Sequence, residues 1–269
     1  MDAAIRFPDL QSSICGTNAP LVIDVRRTPA FKASTEMIVG ALRRNPDTVA
    51  TWARELPRGA NVVVYCVHGH EVSQGVAKAL NERGFITRYL EGGIEEGWKA
   101  AGGALIRKPA GSSTRWVTRV RPKIDRIACP WLVSRFLDKH AEFLYVPPET
   151  VLQTAREKDA VPFDVPDVTF SHQDELCSFD AFIKHFRLRD PALDRLAVIV
   201  RGADTGKPDL APQTAGLLAV SRGLSHNFSN DHEMLKHGMV MYDALYAWCK
   251  EGQDGGSSWN LRAGPKAAA

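Results

Sequence analysis

Residues 62–75 read VVVYCVHGHEVSQG, an apolar run that ends on Cys66 and passes through a glycine into a helical pattern. A free thiol in that position has chemistry open to it. Cysteine reacts as the thiolate, and the ends of parallel strands are where open α/β sheets hold their ligands. The loop of Val67, His68, Gly69, His70, Glu71 and Val72 can turn successive backbone N–H groups toward one spot and form an anion nest. The helix that follows adds the positive end of its dipole. Such surroundings depress a thiol pKa and stabilise a persulfide, with His68 and His70 adding positive charge or hydrogen bonds. The plainer reading of Cys66 is a small buried hydrophobe.

The second half offers chemistry that is less concentrated. In DRIACPWL, helical spacing puts Asp125, Cys129 and Leu132 on one face with Arg126 beside them. Pro130 interrupts the hydrogen-bond ladder there, so Asp125, Arg126, Cys129 and Trp131 read as one wall of a pocket that Arg201 and Asp204 could complete. The alternative is a capping Asp125, a surface Arg126 and a core Cys129–Trp131 pair. SHQDELCSFD supplies His172, Glu175 and Cys177 within six residues, and His172 with Glu175 is the candidate ligand pair for a metal ion. Nothing in the spacing completes a tetrahedral zinc set. Asp204 and the Asp231–His232–Glu233 run could contribute to that site from afar; the plainer roles are Asp204 in a turn and Asp231 or Asn230 as a helix cap. Arg126, Arg135 and Arg201 could meet chromate or another oxyanion through charge-assisted hydrogen bonds. Tyr242, Asp243 and Tyr246 could look into the same pocket.

These groups need elements to position them. LVIDV (21–25) and VVVYC (62–66) suit strands buried on both faces, with a helix between them capped by Asp47. SQGVAKALNERGF continues as a helix, ITRYLEGG as a strand, and IEEGWKAAG as a short closing helix. This alternation implies an α/β domain over 1–106 with a mainly parallel sheet flanked by helices. RKPAGSST (107–114) reads as a linker, and 115–252 as a helix-rich α/β or α+β domain. The tail 253–269 has a disordered composition. Five scattered cysteines exclude a disulfide framework. A net charge of +3 with no dense basic block argues against nucleic acid. The absence of a long apolar run or a signal pattern points to the cytoplasm and away from membranes.

Together, IDVR, VYCVHGHEVS and LEGGIEEGWKAAG resemble the rhodanese family of sulfurtransferases over about residues 5–105. The resemblance implies that Cys66 accepts a sulfane sulfur from a donor such as thiosulfate or a persulfide, and passes it to cyanide, a thiol or another protein. The loop from Val67 to Val72 would supply the amide cradle, and Asp24 with Arg26 match the family's strand-end charged pair. Two departures stand out. Glu71 replaces the Arg or Ser of many members, which disfavours thiosulfate against a less negative persulfide, and EMIVGA (36–41) lacks the family's histidine. Residues 115–250 resemble the bacterial chromate-resistance family through D-R-x-A-C-P-W-L and the segments after it. The expected activity is sulfur transfer through a Cys66 persulfide, coupled to this second domain. The alternatives are a chromate or metal sensor with a non-catalytic rhodanese module, and a metal-dependent enzyme centred on the C-terminal domain.

Overall fold

The computed structural model describes residues 3–14, 19–108 and 114–251. The first half contributes strands β1 (Ala4–Ile5), β2 (Leu21–Asp24), β3 (Glu36–Ile38), β4 (Leu42–Arg43), β5 (Asn61–Tyr65), β6 (Ile86–Leu90) and β7 (Leu105–Arg107). Five of them form a parallel sheet in the order β1-β6-β5-β2-β4, and β3 pairs antiparallel with β7. Helices α1 (Phe7–Ser13), α2 (Thr28–Ala33), α3 (Val49–Trp52) and α4 (Glu71–Asn81) accompany them. The unbroken VVVY run follows from the central place of β5. Val63 and Tyr65 pack with Trp98 on one face, while Val62 and Val64 pack with Trp52 and Leu80 on the other. The helix cap differs from the one expected at Asp47. The side chain of Asn45, not Asp47, accepts an N–H bond, and it opens a 3-10 turn over Pro46–Thr48 ahead of α3.

The second half has a three-stranded parallel sheet in the order β10-β8-β9, from β8 (Arg115–Arg119), β9 (Glu142–Val146) and β10 (Val161–Pro162). Its helices are α5 (Asp125–Leu132), α6 (Val151–Glu157), α7 (Ser178–His185), α8 (Pro191–Thr205), α9 (Thr214–Asn227) and α10 (Asp231–Lys250). The chain as a whole is α/β. Helix α5 runs through Pro130 and widens into a π turn over Val133–Leu137. The carbonyl of Arg126, which Pro130 cannot satisfy, faces the Tyr145 hydroxyl at 3.5 Å. Asn230 caps α10 through bonds to His232 and Glu233. Asp204 is not in a turn, as its sequence neighbours suggest, but in the last turn of α8.

The halves share apolar packing. Met37, Val39, Ala104 and Ile106 belong to the same buried cluster as Trp116, Trp131 and Leu137. The Gly40 N–H donates to Leu137 O at 2.8 Å, and Arg107 pairs with Asp159 at 2.7 Å. Within the expected linker, Arg107 closes β7 and residues 109–113 lie outside the described residues, as does the 253–269 tail. Among the described residues no helix is long and apolar enough to cross a membrane.

Candidate functional site

Cys66 follows directly on β5 and precedes α4, so the chain must reverse in a few residues. Two glycines make this turn fit. Gly69 has φ +74°, and a Cβ there would lie 2.6 Å from Leu90 O and 2.8 Å from Gly92 N. A Cβ on Gly93 would lie 2.4 Å from Val67 O. The cysteine loop therefore packs backbone against backbone on the turn after β6, where Ile94 N–H donates to Cys66 O (3.0 Å) and Glu95 N–H to Val67 O (3.1 Å). This is the physical content of the LEGG motif: only glycine permits the approach.

The loop carbonyls are thus engaged, and the loop amides are not. Among the described residues none accepts a hydrogen bond from the N–H groups of residues 67 to 73. His70 flanks the start of α4 without a side-chain cap. The Cys66 side chain is 6% exposed. It lines a cavity of about 350 Å³ together with Val67, His68, His70, Glu71 and Val72, and with Arg26, Arg27 and Ala30 from the end of β2 and the start of α2. Its Sγ lies 3.2 Å from Ser73 Oγ. His68 Nδ1 pairs with Glu96 Oε1 at 2.7 Å on the surface, and the bond holds the Glu96 carboxyl below its ordinary range.

Arg26 has a structural task. Its guanidinium holds Asp24 at 2.6 Å, both groups are essentially buried, and its Nη2 also reaches Glu36 O. The Tyr65 hydroxyl donates to Asp24 Oδ2 (3.0 Å) and accepts from Ile38 N–H (3.2 Å). The ends of β2, β3 and β5 are thereby tied together beneath the cavity. Burial on its own would lower the Arg26 pKa, and the hydrogen bond and charge of Asp24, with the charges of Tyr65 and Glu95, together more than offset it.

A second group of ionisable side chains gathers in the C-terminal half. Ile124 takes φ +35°, an unusual value for a β-branched residue, and delivers Asp125 to the first position of α5. Tyr242 steadies this strained residue by donating to Ile124 O at 2.9 Å. Asp164, also at positive φ, follows β10, and its N–H donates to Phe170 O. His172 Nε2 then lies 3.2 Å from Asp125 Oδ2, 3.5 Å from Asp164 Oδ1 and 3.0 Å from Asp204 Oδ2. The surrounding carboxylates, Asp125 first through its hydrogen bond, push the His172 imidazole up to about 9. Burial, then the Asp125 charge, push Asp204 up to about 7. Asp164 is raised by the same two causes, against which Arg119 (2.6 Å) and Arg126 (3.1 Å) both act.

The sequence expectations divide here. Asp125, His172 and Asp204 come together. Glu175 does not join them; it is largely exposed and paired with Lys207. Cys129 and Cys177 are fully buried, and burial raises both thiols, so neither offers a thiolate. Cys177 instead flanks α7 in a reciprocal box with Asp180. Trp131 donates to Asp243 Oδ1 at 2.8 Å, and Tyr246 bonds Asp190. Of the three residues expected to share the pocket, only Tyr242 borders it. The arginines weighed for an oxyanion each hold a carboxylate already: Arg126 to Asp164, Arg135 to Asp243 at 2.8 Å, and Arg201 to Asp180 at 2.7 Å. Asp164 was not singled out from the sequence.

A parallel-sheet domain with a cavity-lining cysteine between strand and helix defines a rhodanese-type class, and here it is joined to a second α/β domain. The chain belongs to the rhodanese-like domain family through residues 8–101, and its residues 116–249 match the family described as ChrB, C-terminal domain. It is 33% identical to thiosulfate sulfurtransferase GlpE of Tolumonas auensis over 76 residues, covering 28% of this chain and 69% of that protein. It is 35% identical to protein ChrB of Cupriavidus metallidurans over 133 residues, covering 49% of this chain but only 40% of that protein. Among solved structures, a rhodanese-related protein of Thermoplasma volcanium is 25% identical, with 39% of this chain and 98% of that chain covered and a TM-score of 0.35.

Proposed function

We propose that the protein is a sulfurtransferase that carries sulfane sulfur as a persulfide on Cys66. The Cys66 thiolate attacks the outer sulfur of the donor. An S–S bond forms at Sγ while the donor's own S–S bond breaks, releasing sulfite from thiosulfate or a thiolate from a persulfide. A nucleophilic acceptor (cyanide, a small thiol or a protein thiol) then attacks the terminal sulfur and returns Cys66 as thiolate. Each step exchanges one bond to sulfur for another, and no outside oxidant is needed. The N–H groups of residues 67 to 73, which have no partner among the described residues, would hold the negative charge that the terminal sulfur bears between the steps.

The observation that carries this reading is Cys66 on the wall of an open cavity that the loop residues Val67, His68, His70, Glu71 and Val72 also line. Glu71 lines the same cavity, which favours a persulfide donor over the doubly charged thiosulfate. The reaction suits the cytoplasm, where Cys66 stays reduced. The ChrB-like half links the transfer to chromate resistance, with its domain in the role of acceptor-binding partner. The test is sulfur transfer to cyanide and to a small thiol, measured with both donors. Transfer that disappears in Cys66→Ser supports the reading; wild-type protein inactive with both donors and both acceptors overturns it.

A further inference from the structure

We infer that Asp125, Asp164, His172 and Asp204 form a binding site for a divalent metal ion with nitrogen and oxygen preference, such as Mn²⁺ or Zn²⁺. One ligand atom from each of Asp125, Asp164 and His172 lies within 4.8 Å of the others, close enough for a single ion to contact all three. The fourth group, Asp204, reaches the same imidazole nitrogen at 3.0 Å. These residues come from four separate places: the start of α5, the turn after β10, the loop before α7 and the end of α8. That convergence is a property of the tertiary fold and not of one acidic stretch of chain.

Charge gives the first argument. Asp125 and Asp164 are buried, and Asp204 nearly so. Both arginines of the site, Arg119 and Arg126, act on a single oxygen, Asp164 Oδ2. Among the described residues no lysine or arginine pairs with Asp125 or Asp204. His172 Nε2 carries at most one proton, yet three carboxylates face it. Buried carboxylates without a cation are costly, and a divalent ion supplies the missing charge.

A second observation is independent of the cluster. Thr118 Oγ1 is fully buried, and among the described residues nothing hydrogen-bonds to it. Alternation along β8 places Thr118 on the same face as Trp116, against the apolar layer that includes Ile127 and Cys129 of α5. Phe163 N–H donates to Val117 O, so the chain runs on into Asp164 alongside Thr118. A buried hydroxyl with no protein partner is one that a bound water or ligand would satisfy. Oxygen and imidazole donors select the borderline and hard divalent ions, and the buried thiols of Cys129 and Cys177 stay outside the set.

The test uses the full-length protein, stripped with a chelator and titrated calorimetrically with MnCl₂ and with ZnCl₂. One equivalent should bind, and Asp125→Asn and His172→Ala should each weaken it by at least about 10-fold, while Glu175→Gln changes nothing. A direct reading on the wild type covers the case in which a variant misfolds: bound Mn²⁺ should broaden the His172 imidazole resonances selectively in the NMR spectrum. Absence of binding, binding unchanged in folded Asp125→Asn and His172→Ala, or His172 resonances left sharp by Mn²⁺ would overturn the site.

Discussion

Two sites occupy equivalent places in their sheets and are built in opposite ways. Cys66 lies between the end of β5 and the start of α4; Asp125 lies just past the end of β8, at the start of α5. Both use the carboxyl edge of a parallel sheet, where ligands are held in such folds. Around Cys66 the loop's main-chain N–H groups have no partner among the described residues, which favours an anion. Around Asp125 the chain gathers carboxylates, which favours a cation. The same supersecondary geometry thus gives either sign of site, and the side chains that follow the strand decide which.

The contrast is broken most directly by exchanging the losses. Cys66→Ser should reduce sulfur transfer to background while leaving metal affinity unchanged. Asp125→Asn, where it folds, should do the reverse. Transfer assays and calorimetry on the same two preparations check both halves, and loss of both functions in either variant would mean that the sites are not separate.

The support beneath the cysteine gives the next largest effect. Asp24→Asn leaves the Arg26 guanidinium buried beside a neutral amide and removes the anion that Tyr65 also contacts. Denaturant unfolding should show a loss of about 3–5 kcal/mol, the cost of breaking a buried pair. A loss below about 1 kcal/mol would make the pair a surface-like contact and not a structural one.

Legibility differs between the two sites for a physical reason. The cradle is a local object: Cys66 and the loop after it are contiguous, and the glycines at 69, 92 and 93 are needed because backbones touch. Short segments of sequence therefore carry it. The C-terminal cluster is a long-range object. Asp125 and His172 are legible as chemistry-bearing types, but their meeting with Asp164 depends on the backbone at Ile124 and Asp164, both at positive φ. Glu175 is in the right stretch of sequence and points into solvent toward Lys207. Helices and strands were legible from periodicity, whereas the shared packing of Met37, Val39 and Ile106 with the second half was not, because each residue is apolar in its own element regardless of partner.

A smaller effect concerns Glu71. Replacing it with Ser removes a negative charge from the cavity wall and should lower KM for thiosulfate by no more than about fivefold, because exposed charges interact by about 1 kcal/mol or less. The KM for a persulfide donor, which carries less negative charge, should change by less. An equal change with both donors would show that the carboxylate acts on Cys66 and not on the donor.

The smallest effect lies at the half-exposed Arg135–Asp243 pair. The hydrogen bond from Arg135 holds the Asp243 carboxyl below its ordinary value. A depressed carboxyl contributes stability that is complete above its unfolded pKa and is lost as pH falls through the folded one. A double-mutant cycle should therefore give about 0.5 kcal/mol at neutral pH, fading below about pH 4. A coupling that grows as the solution is acidified would reverse the sign of this argument.

The account rests on sulfur chemistry at the end of β5, and peptide-level mass spectrometry reads it most directly. After treatment with a persulfide donor and removal of the excess, the peptide containing Cys66 should carry one additional sulfur atom, which a thiol acceptor then removes. A Cys66 peptide that stays unmodified in folded protein, or extra sulfur found only on other cysteines, would contradict it.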